Sequence, residues 1–494
     1  MKLKELLESI DGVRLIGDVE KIASIEISGL CDDSRFVKEG DLFFCRKGQN
    51  VDSHLFVLEA VKKGARAVVC EREVAVGVPQ MIVADCRLEM ARLSAVFYGQ
   101  PSKRLKIVGI TGTNGKTTTA YMLASILRRA GKAVGIIGTL GIYYGKKKIA
   151  PELTTPDPIF LQATLRDMVE EGIEYVVMEV SAHALFYRKD ASIEYAAGIF
   201  TNLSQDHLDF FPDMQSYGEA KRTLFAKEKC AICILNGDDE FGRTIGECRG
   251  GEEGEEVIYY GLETPCDCFA IVTEETLRGM DVVFNVMDGI FRIPISMTGL
   301  HNAYNALAAA TCAYALGLST AEIAEGLRQV RRVKGRLELV ADYCGAKIFV
   351  DFAHTPDGLE KSLQTLKKHV KGKLFCLFGC GGNRDRTKRP LMGEVVAKNA
   401  DFSIITSDNP RYEDPMDIIS SIEKGYRRVS NRYVIVPDRE RAIEYALELL
   451  STGDVLLVAG KGAEEYQEIM GIKYLFCDND FIKKTIHRKG ESSL

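Results

Sequence analysis

The chain has 494 residues, which at roughly 150 per domain is material for about three domains, and 46% hydrophobic residues supply a core for each. Its 64 Lys plus Arg against 70 Asp plus Glu leave a net charge of −6, which argues against a broad nucleic-acid or anionic-membrane surface. The 14 cysteines are scattered, and the pairs Cys230/Cys233 and Cys266/Cys268 lack a second ligand pair at zinc spacing, so reduced thiols in a cytoplasmic protein are expected.

The N-terminal MKLKELLESIDGVRL reads as a short amphipathic helix without the apolar region or cleavage site of a signal peptide. No later run approaches the roughly 18 apolar residues of a membrane span. Strands are expected at ASIEISGL, DLFFCR, ARAVVC and PQMIVAD, and Tyr98–Lys106, with Gly99, Pro101 and three basic residues, reads as a linker. A first domain therefore covers residues 1–100.

The second domain, residues 101–335, opens with LKIVGITGTNGKTTTAYMLASILRRAG, an apolar strand that breaks into a glycine-rich loop and restarts as an amphipathic helix. Such a turn cradles phosphate: the small residues Gly112, Thr113 and Gly115 let backbone N–H groups approach the oxygens, Lys116 brings a mobile cation, and the Thr117 hydroxyl suits Mg²⁺. Isoleucine stands at position 110, where the strict Walker pattern has glycine. After Thr117, Met122, Leu123, Ile126 and Leu127 recur at helical spacing and Gly131 marks the helix end. Buried-looking strands such as GIEYVVMEV and AAGIFTNL then alternate with helices, the pattern of a mostly parallel sheet. Gly246–Glu256 reads as an acidic loop.

From residue 336 to 494 the alternation restarts. Strands are expected at AKIFVDF, KLFCLFG, DFSIITSD, YVIVP and DVLLVAG, with a helix after each, which is a doubly wound α/β domain. Its unusual residues gather at the carboxyl ends of strands, in DFAHTPD, GCGGNRDR, SDNPR and GKGAEE. The cluster Gly379–Gly382 lacks the third glycine of a dinucleotide fingerprint.

Three further polar groups follow the phosphate loop: Glu179 near Ser181 and His183, Asp206–His207, and Lys221 in YGEAKRTLF. A carboxylate beyond a strand beside the phosphate loop is where an ATPase holds Mg²⁺. By residue type alone, Glu179 reads equally as a solvated strand end, His207 as a structural histidine and Lys221 as a helix-surface ion-pair partner.

The order TGTNGKTT, TTPDP, MEVSAH, TNLSQDHLD, AKRTLF, GLHNAYNALAA, GR, DFAHTPDGL, GCGGNRDRTKRPLMG, DNPR and GKGAEEYQ resembles the Mur ligase family over nearly the whole chain. An N-terminal DDSR is like the segment that holds a UDP moiety there. The resemblance implies three α/β domains: a small N-terminal UDP-binding domain, a central P-loop ATPase-like parallel-sheet domain and a C-terminal doubly wound Rossmann-like domain. It also implies an ATP- and Mg²⁺-dependent amide ligase of peptidoglycan synthesis, in which a substrate carboxylate takes the γ-phosphoryl group and an amine attacks the acyl phosphate.

In that family the loop Gly112–Thr118 binds ATP, and Thr118 belongs to it here. His301, Asn302 and Asn305 match the segment near the adenine, and Arg336 and Asp351 face the nucleotide from the third domain. Thr117 and Glu179 match positions around one Mg²⁺, with Lys116 neutralising the transferring phosphoryl group. His207 and Lys221 match a second metal, Lys221 as N6-carboxylysine, since carbamylation turns a cation into an oxygen ligand. Thr154, Thr155, Ser181 and one of Arg188 or Lys189 match contacts to the muramoyl peptide, with Ser28 and Ser34 at the uridine end. Arg384, Asp408, Asn409, Pro410, Arg411, Gly460 and Glu464 match the amino-acid pocket. Ala182, Tyr187 and Ala463 depart from the family pattern.

The DNPR arginine resembles that of diaminopimelate-adding enzymes. Meso-diaminopimelate differs from L-lysine by a distal carboxylate, which a guanidinium grips with two charge-assisted hydrogen bonds, whereas lysine sets an ammonium against it. The expected substrates are UDP-N-acetylmuramoyl-L-alanyl-D-glutamate and meso-diaminopimelate, with a monomeric protein that takes no nucleic acid. Alternatives are a lysine-adding ligase, a folylpolyglutamate-synthetase-like ligase or paralogue of another pathway, and a non-catalytic nucleotide-binding scaffold.

Overall fold

The computed structural model describes every residue except 11, 18–21, 23, 49–50, 151, 250–255 and 492–494. These residues form two compact units, one of residues 1–109, 132–198 and 223–231, the other of residues 110–131, 199–222 and 232–494. Among the described residues no helix is long and apolar enough to cross a membrane.

In the first unit the N-terminal residues build a five-stranded sheet in the order Arg14–Ile16, Gln80–Ile82, Ala67–Cys70, Asp41–Phe44, Gly29–Cys31. The first strand pairs antiparallel and the rest are parallel. Ala67–Cys70 and Asp41–Phe44 are buried on both faces, as continuous apolar runs in a parallel sheet should be. The opening helix is one turn long, Leu3–Leu7, with Leu3 and Leu6 in the core. Of the expected strand ASIEISGL, Ala23 lies outside the described residues, Glu26 makes only a lone bridge to Lys2, and the strand is confined to Gly29–Cys31. The expected linker is a packed 3₁₀ turn, Pro101–Arg104, with Pro101 and Ser102 buried and the Ser102 hydroxyl donating to the Ser192 carbonyl. Pro101 presets its φ and gives up no needed N–H.

A further run of strands in this unit has the order Lys106–Thr111, of which residues 106–109 belong here, then Tyr175–Glu179 and Val134–Gly138, and ends in the antiparallel strands Gly141–Tyr144 and Lys147–Ile149. Glu179 closes its strand as the last buried residue.

In the second unit strands run in the order Gly289–Ile295, Gly279–Val286, Cys268–Thr276, Glu256–Gly261 and Cys230–Asn236, the last from residue 232 on. The outer three strands form an antiparallel meander, a departure from the expected mostly parallel pattern. Burial of Met280, Val282, Phe284 and Val286 with intervening residues partly exposed explains it: strict alternation belongs to an antiparallel sheet with one wet face. Of the expected acidic loop, Gly246–Arg249 completes the helix Glu240–Arg249, Glu256 begins a strand, and 250–255 lie outside the described residues.

The C-terminal six-stranded sheet has the order Glu338–Tyr343, Ala346–Asp351, Val455–Ala459, Leu374–Phe378, Phe402–Ile405, Tyr433–Ile435, parallel except for its first strand. Helices cover both faces, with Leu359, Leu363, Met392, Ile418 and Ile422 on one and Ala442, Ile443 and Leu447 on the other. The helix expected directly after DVLLVAG is instead a hairpin, Tyr466–Ile469 with Ile472–Leu475, and the helix Asp478–Glu491 follows it. Met470 and Gly471, both at positive φ, form the two-residue turn whose twist suits a hairpin.

Candidate active site

The phosphate loop is a backbone cradle. Gly112 (φ 144°) and Gly115 (φ 88°) occupy positions where a Cβ would lie 1.9 Å from Thr201 Oγ1 and 2.4 Å from Asn305 Oδ1. Only glycine fits there. Asn202 braces the loop, its carbonyl accepting from the Thr113 amide (2.8 Å) and its Oδ1 from the Asn114 amide (3.0 Å). The Thr201 hydroxyl donates to the Asn114 carbonyl (2.6 Å). Thr118 is buried at the third position of the helix Lys116–Arg129. Asn202 is a loop-shaping residue that a motif scan does not single out, although it lies in TNL.

Basic side chains converge on this loop. Lys116 Nζ donates to the carbonyls of Gly112 and Thr113, both 2.8 Å away, and Lys221 Nζ also reaches the Gly112 carbonyl, at 2.9 Å. Arg336 lies over the Phe352 ring and donates to the buried Thr117 hydroxyl at 2.8 Å. Asn305 accepts from the Thr119 hydroxyl and donates to Asn302, which donates to the Thr298 carbonyl, so the helix carrying His301 is tied to the phosphate loop. Asp351 accepts from the Leu337 amide and the Ser362 hydroxyl, which sets the turn holding Arg336.

Lys221 sits on the helix Met214–Arg222 with 1% of its surface exposed and its Nζ over the Tyr217 ring. Burial, reinforced by Lys116, pushes its pKa well below the ordinary lysine range against a smaller opposing pull from Asp206. His207 adopts φ 57° and lies 3.5 Å from Asp206. Asp206 is itself buried between His354 (3.6 Å) and Lys388 (3.1 Å); burial raises its pKa, but a hydrogen bond from His354 and the neighbouring Lys388 and His207 hold it well below the carboxylate range. Among the described residues no three His, Cys, Asp or Glu side chains cluster as a ready-made metal site.

In the first unit Glu179, 1% exposed, accepts from the Thr139 amide (2.9 Å) and hydroxyl (3.1 Å). Thr139 also meets the Thr154 hydroxyl at 3.2 Å, and Thr155 joins the Glu179 carbonyl to the Ser181 amide. Glu179, Thr154, Thr155 and Ser181 thus form one group, with Thr139 as a member that no motif indicated. Lys189 is largely buried against Asp157 (2.7 Å), whereas Arg188 is exposed at φ 53° and pairs with Asp85 (3.2 Å). Tyr187 lies under the Arg87 guanidinium at 4.1 Å. Ser28 is exposed and donates to the Glu39 carbonyl, while Ser34 is buried and turned toward Glu59.

The C-terminal pocket gathers Asp408, Asn409, Pro410, Arg411, Gly460 and Glu464. The Pro410 carbonyl lies where a Cβ on Gly382 would be (1.9 Å), and Gly460 (φ 111°) leaves room for Asp408, so these glycines let the loops close on one another. Lys461, fully buried, donates to Asn409 Oδ1 (3.0 Å) and Glu464 Oε2 (2.8 Å), and Asn409 Nδ2 donates to the same Glu464 oxygen (2.8 Å). Burial raises the Asp408 pKa, but Lys461 and Arg439 draw it below the usual range. Arg411 reaches Gly382 and Glu468, and Arg384 is exposed beside Gly381.

The description Mur ligase family, catalytic domain matches residues 26–98, Mur ligase middle domain matches 110–313, and Mur ligase, glutamate ligase domain matches 335–462. The UDP-N-acetylmuramoyl-L-alanyl-D-glutamate–2,6-diaminopimelate ligase of Geobacillus thermodenitrificans (strain NG80-2) is 42% identical over 95% of this chain and 96% of its own. The chain belongs to the Mur ligase family. Its three-domain α/β architecture is that of Mur ligases of known structure: one described as UDP-N-acetylmuramoyl-L-alanyl-D-glutamate–2,6-diaminopimelate ligase superposes with a TM-score of 0.71 at 29% identity over 99% of both chains. A Mycobacterium tuberculosis folylpolyglutamate synthase complexed with ADP and AMPPCP shares the fold, with a TM-score of 0.64 and 17% identity over 76% of this chain and 92% of that one.

Proposed function

We propose that this Mur ligase joins meso-2,6-diaminopimelate to the γ-carboxylate of D-glutamate in UDP-N-acetylmuramoyl-L-alanyl-D-glutamate, consuming ATP, as a cytoplasmic monomer of peptidoglycan synthesis. We take its domains as residues 1–100, 101–335 and 336–494. The observation that carries the reading is that one compact unit holds both a phosphate cradle reached by Lys116 and Arg336 and a second pocket whose charged groups include Arg411 and Glu464. A ligase needs both: one to activate a carboxylate, the other to hold the amine.

The substrate carboxylate takes the γ-phosphoryl group of ATP with release of ADP. The amine then attacks the acyl carbon and phosphate leaves. Lys116 and Arg336 are suited to neutralise charge on the transferring group. Thr117, Glu179, His207 and carbamylated Lys221 are the residues suited to hold Mg²⁺, which when bound would offset phosphate and carboxylate charge. The depressed Lys221 pKa supports the modification, because a neutral amine attacks CO₂ and loses one proton to give the carbamate. Thr154, Thr155, Ser181 and Lys189 serve the muramoyl peptide, and Ser28 and Ser34 the uridine end. His301, Asn302, Asn305 and Asp351 serve the nucleotide side.

Arg411 selects the amine, with Asn409 and Glu464 positioned for its distal ammonium. A polar site of this kind rejects an analogue lacking the matching group by as much as about 10⁴ to 10⁵. The test incubates the full chain with ATP, Mg²⁺, the UDP-dipeptide and either meso-diaminopimelate or L-lysine, following ADP, phosphate and tripeptide. Diaminopimelate is expected to be strongly preferred, and Arg411→Ala to collapse that preference. Equal kcat/KM for the two amines refutes the substrate, and no ADP with any amine refutes the ligase.

A further inference from the structure

Arg411 is shaped by a strand more than fifty residues away in sequence. Gln467 Nε2 donates to the Asp408 carbonyl at 2.6 Å, and the Glu468 amide donates to Asn409 Oδ1 at 3.0 Å. The Arg411 amide donates to the Glu468 carbonyl (3.1 Å) and the Met470 amide donates to the Arg411 carbonyl (2.7 Å), closing an isolated parallel bridge between Arg411 and Ile469. These bonds hold Arg411 at φ 54°, a left-handed conformation that a long side chain adopts only when its surroundings impose it.

The side chain is fixed by the same strand. Glu468 Oε2 accepts from Arg411 Nε at 3.2 Å, and the Gly382 carbonyl accepts from Nη1 at 2.8 Å. Both charged side chains are about one-fifth exposed, with values of 20% and 21%, so this pair is not a loose surface contact. A guanidinium has five N–H donors. Two are used here, and the three that remain lie on Nη1 and Nη2, the edge that a carboxylate can take with two parallel bonds.

We propose that Glu468 is a positioning residue for amino-acid selection: by holding the Nε edge of Arg411 it presents the opposite edge to a carboxylate at the far end of the amine substrate. The inference rests on the proposed function. Glu468 touches no reacting atom in this scheme, so its loss weakens capture of the amine and leaves the acyl-transfer step intact. Its charge also makes the Arg411–Glu468 pair neutral overall, which suits a zwitterionic amino-acid end better than a lone cation or anion.

The test measures steady-state kinetics of the full-length enzyme with each substrate varied in turn, for the unmutated chain, Glu468→Ala, Glu468→Gln, Arg411→Ala and the Glu468→Ala/Arg411→Ala double variant. Glu468→Ala is expected to raise KM for diaminopimelate about tenfold with kcat within about threefold, the size of one lost charge-assisted hydrogen bond. KM for ATP and for the UDP-dipeptide stays level. Glu468→Gln, whose amide oxygen still accepts from Nε, recovers most of the loss. The double variant should be no worse than Arg411→Ala, because Glu468 acts through Arg411. An unchanged KM in Glu468→Ala, or a double-variant loss equal to the product of the two single losses, overturns the inference. Should the alanine variant fail to fold, Glu468→Met fills the same space without an acceptor and carries the same comparison. An unmutated chain that forms no ADP with diaminopimelate refutes the proposed function instead.

Discussion

Replacing Lys461 by methionine removes an ammonium that is fully buried and donates to both Asn409 and Glu464. Deleting one partner of a buried ion pair costs about 3–5 kcal/mol, because the remaining charge is left without compensation. Three details place this site at the lower end. Glu464 keeps 24% of its side chain in water, Asn409 Oδ1 still accepts from the Glu468 amide, and Asp408 keeps Arg439 nearby. A loss of about 3 kcal/mol is a factor of about 100 in the folded-to-unfolded ratio. For a domain of this size each kcal/mol moves Tm by about 2–4 °C, so the C-terminal transition should fall by about 6–12 °C. Calorimetry of the full chain resolves this better than a single denaturation curve, since a multidomain protein need not unfold in one step. A shift below about 2 °C would refute the argument that Lys461 organises the pocket.

Gly112→Ala puts a methyl 1.9 Å from Thr201 Oγ1 at a φ of 144°, so KM for ATP should rise at least about tenfold while the central sheet stays folded; an unchanged KM shows that the loop tolerates a side chain. Lys221→Ala should fold and lose most activity, with partial recovery on adding a small carboxylate; near-normal turnover, or an unmodified ammonium in a high-resolution map, rejects its role as a metal ligand. Burial raises the Asp238 pKa, but the Thr264 and Tyr304 hydroxyls and the Leu262 and Glu263 amides draw it down to about 2. A depressed acid contributes stability that is complete above its unfolded pKa near 4 and lost as pH falls toward 2, and partial exposure limits this to about 1 kcal/mol. The stability gap between the unmutated chain and Asp238→Asn should therefore close between about pH 4 and pH 2; a gap independent of pH would mean that the charge of Asp238 is not what matters.

The phosphate loop was legible because its requirements are local: glycines where no Cβ fits, then a lysine and a threonine at the head of a helix. The same locality made the C-terminal strands readable as continuous apolar runs. Lys221 was legible only through family resemblance, since nothing in YGEAKRTLF says that its amine will be buried against Gly112. The hairpin after Gly462 reads as a helix in sequence because AEEYQEIM is rich in helix formers, and its turn is Met470–Gly471 rather than the usual Asn-Gly. Glu468 lies on that hairpin and is hidden from the sequence with it. Thr139 and Lys461 were missed for a related reason: their partners are 40 residues away in one case and a buried carboxamide in the other, and neither leaves a periodic trace.

Arg336 bonds to Thr117 and Asp357 bonds to Asn114, both at the phosphate loop and both from beyond residue 335. The boundary drawn along the chain is therefore not a seam at which two parent enzymes can be recombined freely. A chimera that took residues 1–335 from one ligase and the remainder from another would inherit a phosphate loop and its outside supports from different histories. The heritable unit for nucleotide use is the loop together with residues 336–357, exchanged as a set or not at all.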